Sequence, residues 1–569
     1  MPELRLHEWV QLNPMGVIDL ELAASRKARG AFFTPQPIAE FLAAWAIHDN
    51  PRARVLDPTC GDGAFIVSAA RHLQKLGASG SAIQQNVIGI DIDSGSLETV
   101  RKTLASDELV ATTLQSDFFD VESPTGLFSD LGFVDAVVGN PPFVRYQLHS
   151  GSARRRSVEA ALQEGVRLSG LASSWAAALV HAASFLGPDG RIGMVLPAEL
   201  LTVGYAEPIR RWLRRRFQDV RIVVVESLQF QDALEKVILL MANGSGGCEG
   251  FSLYHVDDIA DLDRLGFTES SVRPADSGKW TEMLLRTPQR RLFKAVMEAD
   301  FVPLSAYGTV QLGAVTGANQ FFAMSDSMRR EWDIDLEDFV RIHPPGTKSL
   351  RGLDFGRADW DRLRAEDERV WLLQPRDREP EDGLRRYIEV GRSTGVSDRF
   401  KCRIREPWWR PPLVDPPDLL FTYMSHLHPR LIRNTAHVRF LNSMHGVRLH
   451  PSTDKAKAVA ALPLLALNSL TLLGAELFGR SYGGGVLKME PSEASALPVP
   501  SPELLQRTWA SLGQSQARLY HQTKTALWTT VSAAVDELLF VETMKMSPAE
   551  LTIIREAALA MRARRTSVD

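Results

Sequence analysis

Short apolar runs rich in β-branched residues alternate with helical patterns through the first half of the chain. In chain order, the predicted strands are Arg54–Asp57, Asn86–Asp91, Ala111–Leu114, Val134–Gly139, Arg191–Leu196, Val220–Val225 and Val237–Met241. Helices are predicted between them at Ala64–Leu76, Ser173–Leu186 and Tyr205–Phe217. This alternation predicts an α/β fold with a doubly wound, mostly parallel, Rossmann-like sheet.

The pattern changes after Gly244–Gly247. From about Arg286 to Pro500 the chain is richer in proline, tryptophan and isolated arginine, and the regular alternation is lost. Ser501 to Asp569 is again helical in pattern and ends in a polar, basic stretch. The sequence therefore predicts three domains: a ligand-binding domain at 1–285, a mixed α/β domain at 286–500, and a helical C-terminal segment at 501–569.

Composition narrows the class of protein. The formal net charge of −4 excludes a molecule that is basic throughout, although a DNA-binding groove needs only a local basic stripe. The three cysteines have no CxxC spacing, so neither a metal site nor a disulfide scaffold is predicted. The N-terminus lacks the features of a signal peptide, and no apolar run is long enough to span a membrane. We expect a cytoplasmic protein.

Basic residues cluster at three places. The clusters are Arg154, Arg155 and Arg156; Arg210, Arg211, Arg214, Arg215 and Arg216; and Lys401, Arg403, Arg405 and Arg410. We expect the first and third to contact DNA phosphates, through Arg154, Arg155, Arg156, Lys401, Arg403 and Arg405. A solvated surface is the alternative for each cluster, and Trp408 and Trp409 also fit a tryptophan-rich core with a charged rim.

Acidic residues end three successive predicted strands. Asp57 opens the turn Asp57–Gly63, whose two glycines let backbone approach a ligand closely, and Asp91 can accept hydrogen bonds from both hydroxyls of a ribose. Asp117 can accept a hydrogen bond from an adenine amino group, with Phe118 packing on the ring. A single strand-end aspartate is usually a cap or turn residue. Three in succession predict a nucleoside site at the carboxyl ends of the strands.

The fourth predicted strand runs into Asn140-Pro141-Pro142-Phe143. The two prolines fix the backbone and remove two N–H donors, which leaves the Asn140 side-chain oxygen and the Pro141 carbonyl as acceptors. An aromatic amino group held by two acceptors presents its lone pair to an electrophile. Phe143 offers a face on which a base can stack, a contact worth about 1–3 kcal/mol. The alternative is a rigid turn that only ends a strand.

These motifs, in this order, resemble the N6-adenine DNA methyltransferases of restriction–modification systems, TaqI type. Gly30–Pro35 resembles the family's N-terminal motif. The resemblance implies a methyltransferase sheet that binds S-adenosylmethionine, and catalysis by Asn140 and Pro141, with the base stacked between Phe143 and a second aromatic residue, Phe230. The cofactor-binding residues expected on this basis are Thr34, Pro35, Asp57, Cys60, Gly61, Gly63, Asp91, Ile92, Asp117, Phe118 and Pro142.

The resemblance extends into the second half at Gly313–Asn319, Gly479–Gly485, Lys488–Pro491 and Leu497–Pro500, which are similar to the borders of target-recognition domains. It implies that the enzyme binds double-stranded DNA and extrudes the target base. We expect the loop Val144–Gly170 to cover that base or to touch phosphates. No nuclease module is evident, so any restriction endonuclease partner is expected to be a separate protein.

Other functions stay open at this point. Methylation of cytosine C5 is rejected, because it needs a Pro-Cys pair and no cysteine here follows a proline. Glutamine-amide methyltransferases use a similar turn but need no large C-terminal domain. Methylation of cytosine N4 follows the same acceptor logic, with Ser or Asp more usual where this chain has Asn140. A DNA-binding defence component with negligible turnover, and methylation of RNA, are further alternatives.

Overall fold

The computed structural model describes residues 34–126, 129–144, 151–226, 237–267, 271–272, 278–376, 379–482, 484–525 and 527–566. The chain divides into two compact units, Met1–Leu284 and Leu285–Asp569. The helical segment that follows residue 500 lies within the second unit. The division into three functional domains stays a prediction.

In its described residues, the first unit is built on a sheet of nine strands. The strands are β1 (Val55–Asp57), β2 (Val87–Asp91), β3 (Thr112–Gln115), β4 (Val134–Gly139), β5 (Leu186–Pro197), β6 (Asp219–Val225), β7 (Val237–Asn243), β8 (Phe251–Val256) and β9 (Ser271–Val272). The helices are α1 (Gln36–Ile47), α2 (Ala64–Lys75), α3 (Gly80–Asn86), α4 (Ser94–Ser106), α5 (Gly151–Gln163), α6 (Ser174–Ala183), α7 (Glu199–Thr202) and α8 (Glu207–Arg216).

The strand order is β3-β2-β1-β4-β5-β7-β6-β8-β9. Strands β3, β2, β1, β4 and β5 run parallel, and β7 is inserted antiparallel between β5 and β6. Strand β1 and five of the six residues of β4 are buried, as expected where helices cover both faces of a parallel sheet. The chain leaves β1 on one side and returns to it with β4 on the other. This reversal is the point at which such sheets bind ligands.

Two local expectations for this unit were wrong. Residues Gly187–Gly190, left between the predicted helix Ser173–Leu186 and the predicted strand Arg191–Leu196, lie inside β5. The pairing of β5 with β4 shifts register there, between Val134 and Ala136, so the extra residues form a bulge in the strand. The predicted loop Val144–Gly170 contains helix α5. Burial of Ser157, Ala160 and Ala161 gives that helix a small-residue face on which it packs.

The second unit contains four small sheets in place of one large one. Their strands are β10 (Phe301–Pro303), β11 (Gly308–Leu312), β12 (Ala323–Met324), β13 (Phe339–Arg341), β14 (Trp371–Leu373), β15 (Leu419–Phe421), β16 (Met424–Ser425), β17 (Leu431–Arg433), β18 (His445–Leu449), β19 (Arg480–Tyr482), β20 (Val486–Lys488) and β21 (Pro498–Pro500). They form the sheets β10-β21, β11-β18-β15-β17, β12-β14-β13 and β16-β20-β19, and every pairing is antiparallel.

Helices surround these sheets and continue to the end of the described chain. They are α9 (Thr287–Asp300), α10 (Asn319–Phe322), α11 (Asp326–Glu331), α12 (Arg357–Ala365), α13 (Asp382–Ser393), α14 (Phe400–Arg403), α15 (Lys455–Leu465), α16 (Ser469–Phe478), α17 (Pro491–Ser495), α18 (Pro502–Lys524), α19 (Trp528–Asp536) and α20 (Pro548–Thr566). Among the described residues no single helix has the length and apolarity to span a membrane, whereas α15 and α16 meet that test only together, across a bend of 81°. The fold class predicted from the sequence is confirmed.

Buried polar contacts fix the last helix to the rest of the second unit. Arg565, expected on a polar, basic tail, is 5% exposed and pairs with the Glu476 carboxylate at 2.8 Å. Its guanidinium also donates to the carbonyl oxygens of His426 and Gly485. Burying this cation is tolerable because its donors are satisfied. The C-terminal helix is therefore an integral part of the second unit.

Candidate active site

Because strands β1, β2 and β4 run parallel, three predicted site residues lie at the same edge of the sheet. Asp57 and Asp91 are the last residues of β1 and β2, and Asn140 follows β4 directly. A Cβ built on Gly139 would lie 2.9 Å from the Asp57 Oδ1 atom. The residue before Asn140 thus touches the Asp57 carboxylate, and the tetrapeptide begins beside the acidic end of β1.

The turn after β1 requires glycine for two different reasons. Gly61 and Gly63 have φ angles of 48° and 91°, in the left-handed region that favours glycine. A Cβ at Gly63 would lie 2.7 Å from Cγ2 of Val100. The Gly61 N–H donates to the Asp91 carboxylate at 2.8 Å. The turn is therefore tied to the end of β2, and α2 begins immediately after it.

Asp57 is a buried carboxyl group with an unsatisfied oxygen. Its side chain is 1% exposed; Oδ1 accepts from the Thr59 N–H at 3.2 Å, and Oδ2 has no hydrogen-bond partner among the described residues. Burial raises the pKa of Asp57 well above its usual value, and the Asp91 charge adds to this, whereas the Thr59 N–H opposes it. A cationic ligand group would stabilise the ionised form. The site is therefore suited to a positively charged ligand.

Asp91 and Ile92 present a polar and an apolar surface side by side. The Asp91 oxygens each accept one backbone N–H, from Asp93 and from Gly61, both at 2.8 Å. A carboxylate oxygen has two lone-pair positions, so both oxygens retain the capacity to accept a hydroxyl. Ile92 is 64% exposed, which is unusual for so large an apolar side chain. This pair fits a nucleoside, with the ribose on the acid and the base against the isoleucine.

Asp117 lies in the expected region but has a partner that the sequence did not predict. Its Oδ1 accepts from the Phe119 N–H at 3.1 Å, and its Oδ2 accepts from the Arg156 guanidinium at 2.6 Å. Arg156 also pairs with Asp120 at 2.8 Å. Because two carboxylates pair with its guanidinium in the first unit, the phosphate contact expected of Arg156 would have to compete with them.

Two residues expected to contact the cofactor have their side chains in the core instead. The Phe118 ring is 4% exposed and lies 4.5 Å from the His181 ring and 5.7 Å from the Phe185 ring, centroid to centroid. The Cys60 sulfur faces β2, where a Cβ on Gly89 would come within 3.1 Å of it. Burial raises the pKa of the Cys60 thiol, so a thiolate is disfavoured. Both side chains pack in the core, so the cofactor contact expected of these two residues stays a prediction and falls to their backbone atoms.

Hydrogen bonds from the beginning of α6 hold the predicted catalytic tetrapeptide, Asn140–Phe143, in place. The Ser174 hydroxyl accepts from the Val144 N–H at 2.9 Å and donates to the Pro142 carbonyl, and the Ser174 N–H donates to the Val144 carbonyl at 3.1 Å. The Asn140 amide nitrogen donates to the Thr34 hydroxyl at 3.2 Å. The sequence shows Ser174 only as a residue near the start of the predicted helix Ser173–Leu186. Its role follows from a contact across 32 residues that no local pattern reveals.

The remaining predicted site residues fall into three groups. Phe143 is 7% exposed, Pro141 is buried, and Pro35 and Pro142 are half-buried. Phe230 and Gly30–Phe33 lie outside the described residues.

Among the described residues no group of three or more His, Cys, Asp or Glu side chains could hold a metal ion.

The basic clusters contain both exposed and internally bonded cations. Arg155, Lys401 and Arg403 are exposed, and Arg154 donates to the Gly170 carbonyl. Arg405 is half-buried and donates to the Thr316 carbonyl at 2.5 Å. Arg210, grouped by sequence with its exposed neighbours, is 1% exposed and bonds the carbonyls of Leu200, Val203 and Gly278. A run of basic residues in the sequence is therefore not one continuous surface.

Comparison with known proteins identifies the class. Residues 20–245 match the family described as N-6 DNA Methylase, and residues 277–540 match the family described as Type II methyltransferase M.Eco57I, C-terminal domain. The resemblance to N6-adenine DNA methyltransferases of restriction–modification systems is confirmed. The TaqI-type order of motifs stays a prediction.

Relatives of known type match most of this chain. It is 22% identical over 487 residues to the type II methyltransferase M.AccI of Acinetobacter calcoaceticus, covering 82% of this chain and 84% of the relative. It is 24% identical over 495 residues to the type II methyltransferase M.XamI of Xanthomonas campestris pv. amaranthicola, covering 84% and 86%. The crystal structure of the type IIG restriction endonuclease BpuSI is similar with a TM-score of 0.47 and 14% identity, over 94% of this chain and 65% of that one.

Proposed function

We propose that this protein transfers a methyl group from S-adenosylmethionine to N6 of an adenine extruded from duplex DNA. The observation that carries the proposal is the position of Asn140-Pro141-Pro142-Phe143, which starts beside the buried Asp57 carboxylate at the switch point of the sheet. An acceptor-rich turn and a nucleoside-binding edge are the two parts that methylation of an amino group needs in one place.

The residues at this edge fit S-adenosylmethionine. Its ribose hydroxyls match the Asp91 carboxylate, its adenine matches the exposed face of Ile92, and its positive charges match the buried acid Asp57, whose second oxygen has no protein partner among the described residues. Thr34, Pro35 and the Gly61–Gly63 backbone complete the proposed site. When bound, the cofactor supplies a methyl group activated by a positively charged sulfur.

The chain's own contribution to the reaction is to hold and orient the amino group. The Asn140 side-chain oxygen and the Pro141 carbonyl accept its two hydrogens, which localises the nitrogen lone pair. Pro141 and Pro142 bring no competing N–H donors, and Ser174 takes up the Pro142 carbonyl and fixes the turn. Rate acceleration then comes from orientation and from placing partial negative charge beside a nitrogen that becomes positive. Phe143, with Phe230, is proposed to stack on the base.

Asp117 is proposed to accept a hydrogen bond from the cofactor's adenine amino group. Its two oxygens each accept one donor in this structure, from Phe119 and from Arg156, and each retains a second lone-pair position for that amino group. The second unit is proposed to read the DNA sequence, since it contains the region that matches the M.Eco57I C-terminal domain family. We further propose that the enzyme works in the cytoplasm and protects DNA from a separate restriction endonuclease.

Sequencing of modified bases in DNA from cells that express the wild type or the Asn140→Ala variant tests the proposal. We expect N6-methyladenine at one recurrent sequence in the wild type and a strongly reduced modified fraction at that sequence in the variant. N4-methylcytosine at such a sequence would replace adenine by cytosine as the substrate. Tight binding of duplex DNA without any modified base would instead support a defence component that does not turn over, and a preference for RNA in competition would reject DNA as the substrate.

A further inference from the structure

Helix α14 of the second unit and the residue that follows it expose two large apolar side chains together with basic ones. Phe400 is 62% exposed and Ile404 is 60% exposed, and their i, i+4 spacing places them on one face. Lys401 and Arg403 are exposed between them, and the Lys401 ammonium lies 5.4 Å from the Phe400 ring centroid. We call these four residues the Phe400–Ile404 ridge.

The ridge is firmly anchored although its tip is exposed. Cys402, in its middle, is 0% exposed, and its sulfur lies 3.6 Å from the Thr316 carbonyl. Arg405 donates to the same carbonyl at 2.5 Å, with its guanidinium carbon 5.3 Å from the Phe322 ring centroid. A Cβ on Gly317 would lie 2.9 Å from Cβ of Lys401, so the two backbones approach closely. A rigid base holds the apolar tip in place.

The charges around the ridge indicate what covers it. Among the described residues, no carboxylate forms an ion pair with Lys401 or Arg403, whereas neighbouring Arg399 donates to the Gly317 carbonyl at 3.5 Å and most other arginines of this unit are paired with carboxylates or bonded to carbonyls. Asp398 and Glu406 are the acids at its two ends. Unpaired cations beside exposed apolar side chains fit a partner with dense negative charge around an apolar interior. Duplex DNA has that arrangement, with phosphates on the outside and stacked bases between them.

We propose that the Phe400–Ile404 ridge is a DNA-contacting wedge, in which Phe400 and Ile404 press against bases while Lys401 and Arg403 bind the flanking phosphates. The proposal rests on the proposed function only in taking duplex DNA as the substrate. It differs from a purely electrostatic contact, because it assigns part of the DNA affinity to apolar side chains whose contribution is independent of salt.

Salt dependence of binding separates the two contributions. The full-length protein is titrated with a short fluorescein-labelled duplex at several salt concentrations. We expect Phe400→Ala and Ile404→Ala each to weaken binding about 5- to 30-fold at every salt concentration, with an unchanged slope of log K against log salt. Lys401→Gln and Arg403→Gln should each reduce the magnitude of that slope by about 0.9. Leu559→Ala, which removes another exposed leucine of the same unit, is the matched control and should change neither quantity.

Wild-type affinity in both Phe400→Ala and Ile404→Ala would overturn the proposal, as would a loss of affinity that parallels a fall in Tm. Self-association of the wild type that Phe400→Ala abolishes would overturn it in favour of a protein contact. The result is separable from the test of methylation. A wild type that modifies DNA, with ridge variants that bind normally, refutes only the wedge; a wild type that binds through the ridge but transfers no methyl group refutes only the enzymatic proposal.

Discussion

The predicted site residues of the first unit and the arginines of the second unit are positioned in different ways. In the first unit, Asp57, Asp91 and Asn140 stand at the ends of neighbouring parallel strands, so the backbone itself brings them together. In the second unit, arginines such as Arg405 and Arg565 turn inward to carbonyl and carboxylate partners that are distant in sequence. Because the strand order determines which strand ends are neighbours, the site residues of the first unit can be predicted from the sequence. Whether a basic residue in the second unit is structural or free to bind a partner depends on its tertiary contacts.

The largest expected effect is that of Asn140→Ala in the first unit. The variant removes one of the two acceptors for the amino group, and losing such a contact in the transition state costs about 100- to 1000-fold in rate. Cofactor affinity should stay close to that of the wild type, because no cofactor contact is assigned to this side chain. Single-turnover methyl transfer and isothermal titration measure the two quantities. Equal losses of rate and cofactor affinity would show that Asn140 acts through the binding site.

Asp91→Ala should have the opposite profile. The change removes the proposed acceptor for the ribose hydroxyls and frees the Gly61 N–H, and hydrogen bonds to a charged group are worth about 1.5–3 kcal/mol. We therefore expect the cofactor Kd to rise at least about tenfold, in isothermal titration. Glu98→Ala, which removes an exposed acid on α4, is the control. An unchanged Kd for Asp91→Ala would remove the nucleoside site from this edge.

Arg405 and Arg403 belong to one basic cluster but differ in burial, so they should differ in their effect on stability. Arg405→Ala leaves the buried Thr316 carbonyl with fewer donors and should destabilise the second unit by about 1–3 kcal/mol. Arg403→Ala, at an exposed position, should leave Tm unchanged and alter only the salt dependence of DNA binding. Differential scanning calorimetry measures the first effect. Equal Tm values for the two variants would mean that Arg405 is no more structural than its neighbour.

The smallest expected effect is a gain in stability from Asp57→Asn. Because burial raises the folded pKa of this carboxyl above its unfolded value, its contribution to stability is fully present below about pH 4 and is lost as pH rises through the folded pKa. Without cofactor, the variant should therefore exceed the wild type in Tm by a margin that grows with pH, reaching about 2–4 °C for roughly 1 kcal/mol.

Thermal melts of both proteins across the pH range measure that margin. The cofactor should raise Tm less in Asp57→Asn than in the wild type, because the buried negative charge that favours a cation is gone. A margin that shrinks as pH rises would contradict the direction assigned to this pKa.

The sequence predicted the parts of the molecule that backbone geometry determines. The β1, β2 and β4 strand ends, the glycine turn and the α/β class follow from period, proline and glycine positions. It did not predict the Arg156–Asp117 ion pair or the Ser174 clamp, because both join residues 30 or more positions apart. It also placed the Phe118 ring at the ligand, whereas contacts with His181 and Phe185 hold it in the core. The sequence alone does not show whether an aromatic residue next to a strand-end acid faces the ligand or the core.

Transfer of a deuterated methyl group tests the central claim most directly. Duplex DNA is incubated with the protein and with S-adenosylmethionine labelled in the methyl group. The DNA is then digested, and the masses of its nucleosides are measured by mass spectrometry. The account predicts mass-shifted N6-methyladenine with the wild type and its formation at least about 100-fold more slowly with Asn140→Ala, which still binds the cofactor. Mass-shifted N6-methyladenine formed by Asn140→Ala at the wild-type rate would contradict it.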